Sequence, residues 1–200
     1  MQLNSISILE FGFQPTVAIL ERGFSDYYVP IRISLEHLIG MLRVDSVDAV
    51  ASHIVFKDNQ PAGVALVARR GWNSRLAGMA ILPEARGQGV GRWLVAQIIT
   101  DAKARGECRL ELEVIQENAP AVTMYERAGF RKIRKLVSYS VQNPQGSYAE
   151  LFEIDLRTLG RLILLHGSQD FPWQISGESL TQMSLPNRAY RYRECAVAIS

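Results

Sequence analysis

The chain has 200 residues, of which 48% are hydrophobic and 21% are charged, and its formal net charge is +2. These values are ordinary for a globular protein of one domain, with or without an appendage, and they give no general electrostatic reason for binding nucleic acid or a membrane. The two cysteines and three histidines are scattered in the sequence, so neither a disulfide framework nor a metal site is expected. No secretory leader pattern and no apolar run long enough to cross a bilayer are found, which predicts a cytoplasmic protein.

The first part of the chain is predicted to contain one strand and two helices before a set of strands. We expect a short strand at 5–9, a helix that begins near Pro15, and a second helix at 34–44 with Ser34 as its N-cap. The connection between the two helices is rich in aromatic residues. Apolar runs separated by turn residues then predict three strands, at 51–57, 62–69 and 75–82.

The segment Arg86-Gly87-Gln88-Gly89-Val90-Gly91 has the composition of an anion site. It lies between the strand at 75–82 and a helix predicted at 89–105. Glycines allow backbone N–H groups to come close to a ligand, and a helix N-terminus adds partial positive charge. Arg86 and Arg92 add full charges on either side, so the segment predicts a ligand that carries phosphate.

Residues 109–114 alternate between polar and apolar, which predicts a strand with Glu111 and Glu113 on one face and apolar side chains on the other. A sheet covered by helices would bury both faces, so carboxylates there need a functional or structural reason. A helix is predicted at 119–128, opened by Asn118 and ended at Gly129.

The remaining residues predict a strand pair and an extension. Strands at 130–141 and 147–155 are expected to pair through the turn at 143–146. A helix at 156–165 and a final strand at 195–199 follow.

Two common glycine motifs do not fit the segment 86–91. The dinucleotide fingerprint G-x-G-x-x-G requires another spacing, and the P-loop requires Gly-Lys-Ser/Thr after its second glycine. The segment does match R/Q-x-x-G-x-G/A, and residues 112–130 match L-x-V-x-x-x-N-x-x-A-x-x-x-Y-x-x-x-G-F. With both blocks in order and correctly spaced, the chain resembles the GNAT acyltransferase superfamily, and its 76–130 core looks like the ribosomal-protein alanine N-acetyltransferases.

The resemblance implies an α/β (mixed α+β) fold of the GNAT type. This fold has a mostly antiparallel central sheet of six or seven strands, with splayed central strands and about four flanking helices. It would occupy residues 1–156, and residues 157–200 would form a C-terminal extension. Two alternatives stay open for the extension: a partial, decayed second GNAT-like unit, as in a tandem protein, or a segment that packs on the first domain or pairs with another subunit in a homodimer.

The resemblance also implies acetyl-CoA as the cofactor and assigns residues to it. The diphosphate would lie on the backbone of residues 86–91 with Arg92 nearby, and Asn118 would hydrogen-bond the cofactor arm. Tyr125, also at the cofactor, would protonate the departing thiolate. Glu113 would accept the proton of the amine, with Glu111 as the next candidate. The residues assigned to cofactor binding are Met79, Ala80, Ile81, Arg86, Gly87, Gln88, Gly89, Val90, Gly91, Arg92, Asn118 and Tyr125.

The acceptor and the activity follow from the same resemblance. Phe24, Tyr27 and Tyr28 lie where the family commonly walls its acceptor site, although the same rings could simply pack on the core. The expected activity is N-acetyl transfer from acetyl-CoA to a primary amine of a small molecule, peptide or protein, by direct attack through a tetrahedral intermediate. The alternative is a non-catalytic acyl-CoA-binding or interaction module derived from such an enzyme.

Overall fold

The chain divides into two units, Met1–Arg131 and Lys132–Ser200, in a computed structural model that describes residues 1–137, 151–168 and 171–199. The first unit holds the glycine-rich segment and the second holds the C-terminal extension. The boundary expected after residue 156 lies inside the second unit, at the first residue of its first helix.

The first unit contains five strands and five α-helices among its described residues. The strands are β1 (Leu3–Ser7), β2 (His53–Lys57), β3 (Gln60–Arg70), β4 (Asn73–Ile81) and β5 (Arg109–Leu112). The helices are α1 (Ile8–Phe11), α2 (Phe13–Gly23), α3 (Leu35–Val44), α4 (Val90–Ala104) and α5 (Ala119–Arg127). None of the helices in the described part of the chain is long and apolar enough to cross a membrane.

The five strands form one sheet in the order β1-β2-β3-β4-β5. The first three pairings are antiparallel, and β5 adds to β4 in parallel. A parallel neighbour needs a crossover connection, and α4 provides it between β4 and β5. The mixed, mostly antiparallel sheet predicted from the sequence is therefore confirmed.

Helices cover both faces of this sheet. α4 packs on β2, β3 and β4, and α2 packs on β3 and β4 from the other side. The core on the α4 side, called the α4-side core below, consists of Ala51, Val55, Ala62, Ala65, Val67, Leu76, Ala85, Val90, Leu94 and Ile98. On the α2 side, Leu20, Ile54 and Val64 are completely buried. Because both faces are covered, any charged side chain on the sheet must find a partner or an opening.

The strand predicted at 5–9 is wrong at its end. β1 stops at Ser7, and Ile8 begins α1. Ser7 and Glu10 form a capping box: the Glu10 N–H donates to Ser7 Oγ at 3.1 Å, and the Ser7 N–H donates to Glu10 Oε2 at 3.1 Å. These reciprocal bonds satisfy two backbone groups that a helix start would otherwise expose, so the chain turns into a helix there.

The strand pair predicted at 130–141 and 147–155 is also wrong in its described parts. Residues 130–137 contain no strand, and β6 (Phe152–Ile154) pairs with a later strand of the second unit. The turn at 143–146 lies outside the described residues. The central sheet therefore has five strands in the described part of the chain, instead of six or seven.

The second unit is a small α/β unit with its own core. Its strands β6, β7 (Arg188–Tyr192) and β8 (Cys195–Ile199) form an antiparallel sheet, beside α6 (Leu156–His166) and α7 (Gly177–Gln182). The two helices approach closely at two glycines: a Cβ on Gly160 would lie 2.8 Å from the Gly177 carbonyl oxygen. Leu156, Leu159, Leu180 and Ala189 form the buried core. The predicted final strand is confirmed, and the origin of this unit stays a prediction.

A buried carboxylate stabilises the turn between α4 and β5. Glu107, whose side chain is 2% exposed, accepts hydrogen bonds from Arg69 Nε at 2.6 Å and Arg105 Nε at 2.7 Å. Burial alone would raise the pKa of Glu107, but hydrogen bonds from Arg105, Ser74 and Arg69 outweigh burial and lower the pKa to about 2. Arg69 also pairs with Asp48 at 2.8 Å, so the cluster connects β3 with two turns.

We expect Glu107→Gln to lower the free energy of unfolding by about 2 kcal/mol at pH 7, because it leaves two arginines facing a neutral group. A carboxylate whose pKa is lower in the folded protein stabilises it above the unfolded pKa, about 4.5, and this stability disappears as the pH falls toward 2. Urea unfolding at several pH values should therefore show that the variant loses less stability than the wild type over this range. Glu21→Gln, an exposed change of the same charge, is the control. Equal acid sensitivity of variant and wild type would contradict the assignment.

Candidate active site

A gap opens between β4 and β5 halfway along β4. The two strands pair only from Asn73–Leu76 against Arg109–Leu112. At the same level the register of β4 on β3 shifts, since Leu66 lies opposite Gly78 and Val67 opposite Leu76, which leaves Ala77 as the extra residue of a β-bulge. Beyond this bulge, no described residue pairs with the outer edge of Gly78–Ile81. The splayed central strands predicted from the sequence are therefore present.

The open edge of β4 offers backbone hydrogen-bonding groups. The Leu82 N–H donates to the Ala62 carbonyl at 2.9 Å, so the backbone groups of Leu82 face β3. Because these directions alternate along a strand, those of Ala80 also face β3, whereas those of Met79 and Ile81 face the gap. The Ile81 carbonyl accepts a hydrogen bond from Arg86 Nε at 3.0 Å. Of the three residues predicted to pair with a cofactor arm, Met79 and Ile81 thus face the gap.

The glycine-rich segment follows β4 through a single 3-10 turn, Pro83–Ala85. Gly87 and Gly89 have φ angles of 71° and 83°, which disfavour residues with a Cβ, and no atom lies within 4 Å of the Cβ position of either residue. Gly89 caps α4 without any side-chain hydrogen bond. The N–H groups of the first turn of α4 therefore have no intrahelical partner, and they are available to an anion.

The side chains around this segment differ in how many hydrogen bonds they make to other protein groups. Arg86 donates four hydrogen bonds to protein groups. Gln88 donates to the Glu84 carbonyl at 2.7 Å and accepts from Lys57 Nζ at the end of β2. Arg92 is exposed on the first turn of α4. Lys57 is a second cation beside the glycines. It lies far from the glycine-rich segment in the sequence, so a local motif could not include it.

The tyrosine of the second motif block reaches the open edge of β4. The Tyr125 hydroxyl lies 3.8 Å from the Met79 sulfur, and its ring packs edge-on against Phe130 at a centroid distance of 5.8 Å. One residue earlier in α5, the Met124 sulfur would lie 3.1 Å from a Cβ on Gly91, so α5 packs directly on the start of α4. Burial, with a smaller contribution from Tyr27, raises the pKa of Tyr125 to about 12. The hydroxyl is therefore protonated at neutral pH.

Asn118 is the N-cap of α5, and its side-chain oxygen accepts from the Ala121 N–H at 3.3 Å. This bond fixes the orientation of the side chain at the start of the helix. Its amide nitrogen has no partner among the described residues, so the predicted hydrogen bond to a cofactor arm stays open to this group.

The two candidate carboxylates lie on the α2 side of the sheet. Leu110 and Leu112 pack on the α4-side core, so the alternation of β5 places Glu111 and Glu113 on the opposite face. Glu113 is 36% exposed and pairs with Arg75 Nη2 at 3.2 Å, while Glu111 pairs with Arg109 at 2.9 Å. Tyr125 packs on the α4-side core. Glu113 and Tyr125 therefore lie on opposite faces of the sheet.

Arg75, which the sequence did not single out, lies on β4 with its side chain 7% exposed. The carboxyl group of Asp45, which caps α3, lies close enough for its pKa to respond to Arg75. Burial raises the pKa of Asp45, and the positive charges of Arg75 and Arg70 partly offset this rise. Glu113 thus belongs to a charged group that joins α3 to the central strands.

The three aromatic residues predicted to bind the acceptor lie together at the C-terminal end of α2. Phe24 and Tyr27 are in edge-to-face contact at 5.2 Å, and Tyr27 contacts Tyr28 in the same manner at 5.7 Å. Tyr28 is 55% exposed. Tyr27 is near enough to Tyr125 to affect its pKa. The aromatic segment, residues 24–30, therefore lies near the tyrosine of the second motif block.

Gly23 allows α2 to approach the wall of the gap. A Cβ on Gly23 would lie 2.5 Å from the Cβ of Ala80, which is impossible without movement. No such contact exists for Gly40 in α3, where a Cβ would meet nothing within 4 Å. The residue just before the aromatic segment is therefore in direct contact with β4.

We expect opposite results when these two helical glycines are replaced by alanine. Gly40→Ala should raise the free energy of unfolding by up to about 1 kcal/mol, because alanine favours helix and the space is open. Gly23→Ala should lower it by about 1–3 kcal/mol, because the methyl group forces α2 away from β4. Urea unfolding measures both. Similar stabilisation by the two changes would contradict the packing described here.

Two curated relatives match parts of the chain. Streptothricin acetyltransferase from Streptomyces lavendulae is 41% identical over 75 residues, which are 36% of this chain and 40% of that protein. The ribosomal protein bS18-alanine N-acetyltransferase of Escherichia coli strain K12 is 39% identical over 57 residues, 28% of this chain and 38% of that protein. The chain thus spans about two fifths of the length of these relatives.

A solved structure and a family model each match a larger part of the chain. The crystal structure of the ribosomal-protein-S18-alanine N-acetyltransferase from Escherichia coli has a TM-score of 0.56 and 22% identity, and the match covers 66% of this chain and 80% of that one. At this identity the match describes the fold alone. The acetyltransferase (GNAT) family model matches residues 17–130, more than half of the chain and all within the first unit. The chain therefore belongs to the acetyltransferase (GNAT) family.

Proposed function

We propose that the protein is an N-acetyltransferase that moves the acetyl group of acetyl-CoA to a primary amine. One observation carries this proposal: a helix start suited to an anion, an unpaired strand edge and a half-buried tyrosine hydroxyl lie around one gap in the sheet. Coenzyme A is a ligand with matching parts, because it joins a diphosphate through an amide-containing arm to a thioester.

The cofactor site follows from this match. The N–H groups of residues 87–91 and the start of α4 bind the diphosphate, with Arg92 and Lys57 as nearby cations. The amides of the pantetheine arm pair with the backbone of Met79 on the open edge of β4, as an added strand would. This course brings the thioester to the Met79 end of the gap, beside the Tyr125 hydroxyl.

The reaction needs a neutral amine and a protonated leaving group. An alkylammonium has a pKa of about 10.4, so Glu113, directly or through water, accepts its proton on the α2 side. The amine nitrogen attacks the thioester carbonyl, the tetrahedral intermediate collapses, and the C–S bond breaks. Tyr125 gives its proton to the departing sulfur on the other side, and the second proton lost by the nitrogen passes through water to the Tyr125 oxygen, so the products are an amide and free CoA. No covalent enzyme intermediate is needed when donor and acceptor meet in one site.

The acceptor enters from the α2 side, past the aromatic segment. The partial matches to an enzyme named for the antibiotic streptothricin and to one named for an alanine of ribosomal protein bS18 support an amine acceptor. The proposed acceptor is a primary amine of a small molecule or of a polypeptide.

The proposal is tested by measuring thiol release from acetyl-CoA over a panel of amines: polyamines, aminoglycosides, streptothricin-type antibiotics, amino acids and peptide N-termini. Mass spectrometry of the amine should show the added acetyl group. Binding of CoA without thiol release on any amine would instead support a non-catalytic acyl-CoA-binding module. No binding of either CoA or acetyl-CoA would contradict the proposal.

A further inference from the structure

The aromatic segment, residues 24–30, contains no helix or strand, and it is joined to the region of the gap through Asp26 and Arg86. Its rings contact one another, and its backbone hydrogen bonds reach only the last turn of α2. Among the described residues, the ion pair that joins it to the cofactor side of the gap is made by Asp26 with Arg86. This contact therefore joins the aromatic segment to the start of the glycine-rich segment.

Four of the five N–H groups of the Arg86 guanidinium donate to protein groups. Nε donates to the Ile81 carbonyl at 3.0 Å, and Nη2 donates to the Gly23 carbonyl at 3.0 Å and to Asp26 Oδ1 at 2.8 Å. Nη1 donates to the second oxygen of the same carboxylate. One side chain thus joins the end of β4, the end of α2 and the aromatic segment. A paired, two-bond contact between arginine and carboxylate fixes orientation as well as distance.

We propose that Asp26 is a positioning residue of the acceptor site, which acts through Arg86. The Arg86 side chain holds the aromatic segment against the gap, and the diphosphate is bound by the backbone of residues 87–91 instead of by this guanidinium. The inference rests on the proposed function for the identity of the two ligands. It also links the two sites, because the residue that begins the phosphate-binding segment fixes the acceptor wall.

The charges around the pair support this assignment. Hydrogen bonding to Arg86 lowers the pKa of Asp26, and hydrogen bonding to Asp26 raises the pKa of Arg86. A neighbouring ion pair, Arg22 with Glu84 at 2.7 Å, also joins α2 to the 3-10 turn that precedes Arg86. A phosphate that turned the Arg86 guanidinium toward itself would have to break the paired bonds to Asp26, whereas the N–H groups of the α4 N-terminus need no such exchange.

The test compares Asp26→Asn with Glu21→Gln, an exposed change of the same charge on α2. We expect Asp26→Asn to raise the KM for the amine by about tenfold, because the aromatic segment loses its fixed position. The Kd for CoA, measured by calorimetry, should stay within about twofold of the wild type, because backbone groups hold the diphosphate. Glu21→Gln should change neither quantity. An unchanged KM, or a Kd for CoA that falls severalfold because Arg86 has become free for the phosphate, would overturn the proposal.

Limited digestion with chymotrypsin gives a second readout that needs neither cofactor nor amine. Cleavage after Tyr27 and Tyr28 should be about fivefold faster in Asp26→Asn than in the wild type, with an unchanged melting temperature, because only the segment opens. Asp26→Glu, which keeps the charge, should restore slow cleavage in part. Equal cleavage rates in wild type and Asp26→Asn would overturn the proposal. Absence of thiol release from the wild type would count against the proposed function alone, since the digestion still tests the contact between Asp26 and Arg86.

Discussion

Replacing Tyr125 with phenylalanine should lower kcat by about 100-fold or more while the Kd for CoA stays within about twofold. The change removes the hydroxyl that protonates the departing thiolate, and it keeps the ring that packs against Phe130. The lost interaction forms only in the transition state, so kcat and kcat/KM should fall together. Steady-state thiol release and calorimetry with CoA measure the two quantities.

Tyr192→Phe, on β7 of the second unit, is the control for this prediction and should leave kcat unchanged. The pH profile gives a further check, because burial raises the pKa of Tyr125 to about 12. An acid with this pKa stays protonated at neutral and mildly alkaline pH, so kcat should show no falling limb between about pH 7 and 10. A Tyr125→Phe variant with wild-type kcat would remove the general-acid role from this residue.

Replacing Gly89 with valine should weaken the binding of CoA by about 100-fold, the second large effect that we expect. Gly89 has a φ angle of 83°, where a β-branched residue is strained. Its N–H group and those of the residues that follow must approach the diphosphate closely. A Cβ at Gly89 would meet no atom of a non-adjacent residue within 4 Å, so the free protein has open space there. The expected defect is therefore in binding more than in folding.

Gly71→Val separates backbone strain from loss of the anion site. Gly71 also has a positive φ angle, 55°, and open space at its Cβ position, but it lies in the turn that leads into β4, at the far end of the strand from the gap. Both variants should lose about 1–2 kcal/mol of unfolding free energy. Only Gly89→Val should lose CoA binding, as measured by calorimetry. Equal Kd values for the two variants would place the anion site elsewhere.

The parts of the site that are local in sequence could be predicted from it. The glycine spacing in 86–91 predicted the anion-binding turn, because φ angles and helix starts are set by neighbouring residues. The helix predicted at 119–128 with Asn118 at its start is present as α5, and it carries Tyr125 to the Met79 side chain. The capping box of Ser7 and Glu10 was visible as S-x-x-E, and recognising it would have corrected the end of β1.

The parts that depend on distant residues could not be predicted in this way. The pairs of Arg86 with Asp26 and of Arg75 with Glu113 join residues separated by 60 and 38 positions, and no local pattern marks them. The bulge at Ala77 arises because β4 must pair with β3 on one edge and leave β5 on the other. The sequence therefore predicted Arg86 as a charge beside the phosphate, whereas its side chain is bound to the aromatic segment.

The central claim is that the phosphate-binding turn, the open edge of β4 and the Tyr125 hydroxyl form one acyl-CoA site. A crystal structure of the protein with CoA tests this claim most directly. We predict a diphosphate on the N–H groups of residues 87–91, a pantetheine amide on the backbone of Met79, and the CoA sulfur within about 3.5 Å of the Tyr125 hydroxyl. A complex in which CoA occupies another surface, or in which the sulfur lies far from Tyr125, would contradict the account.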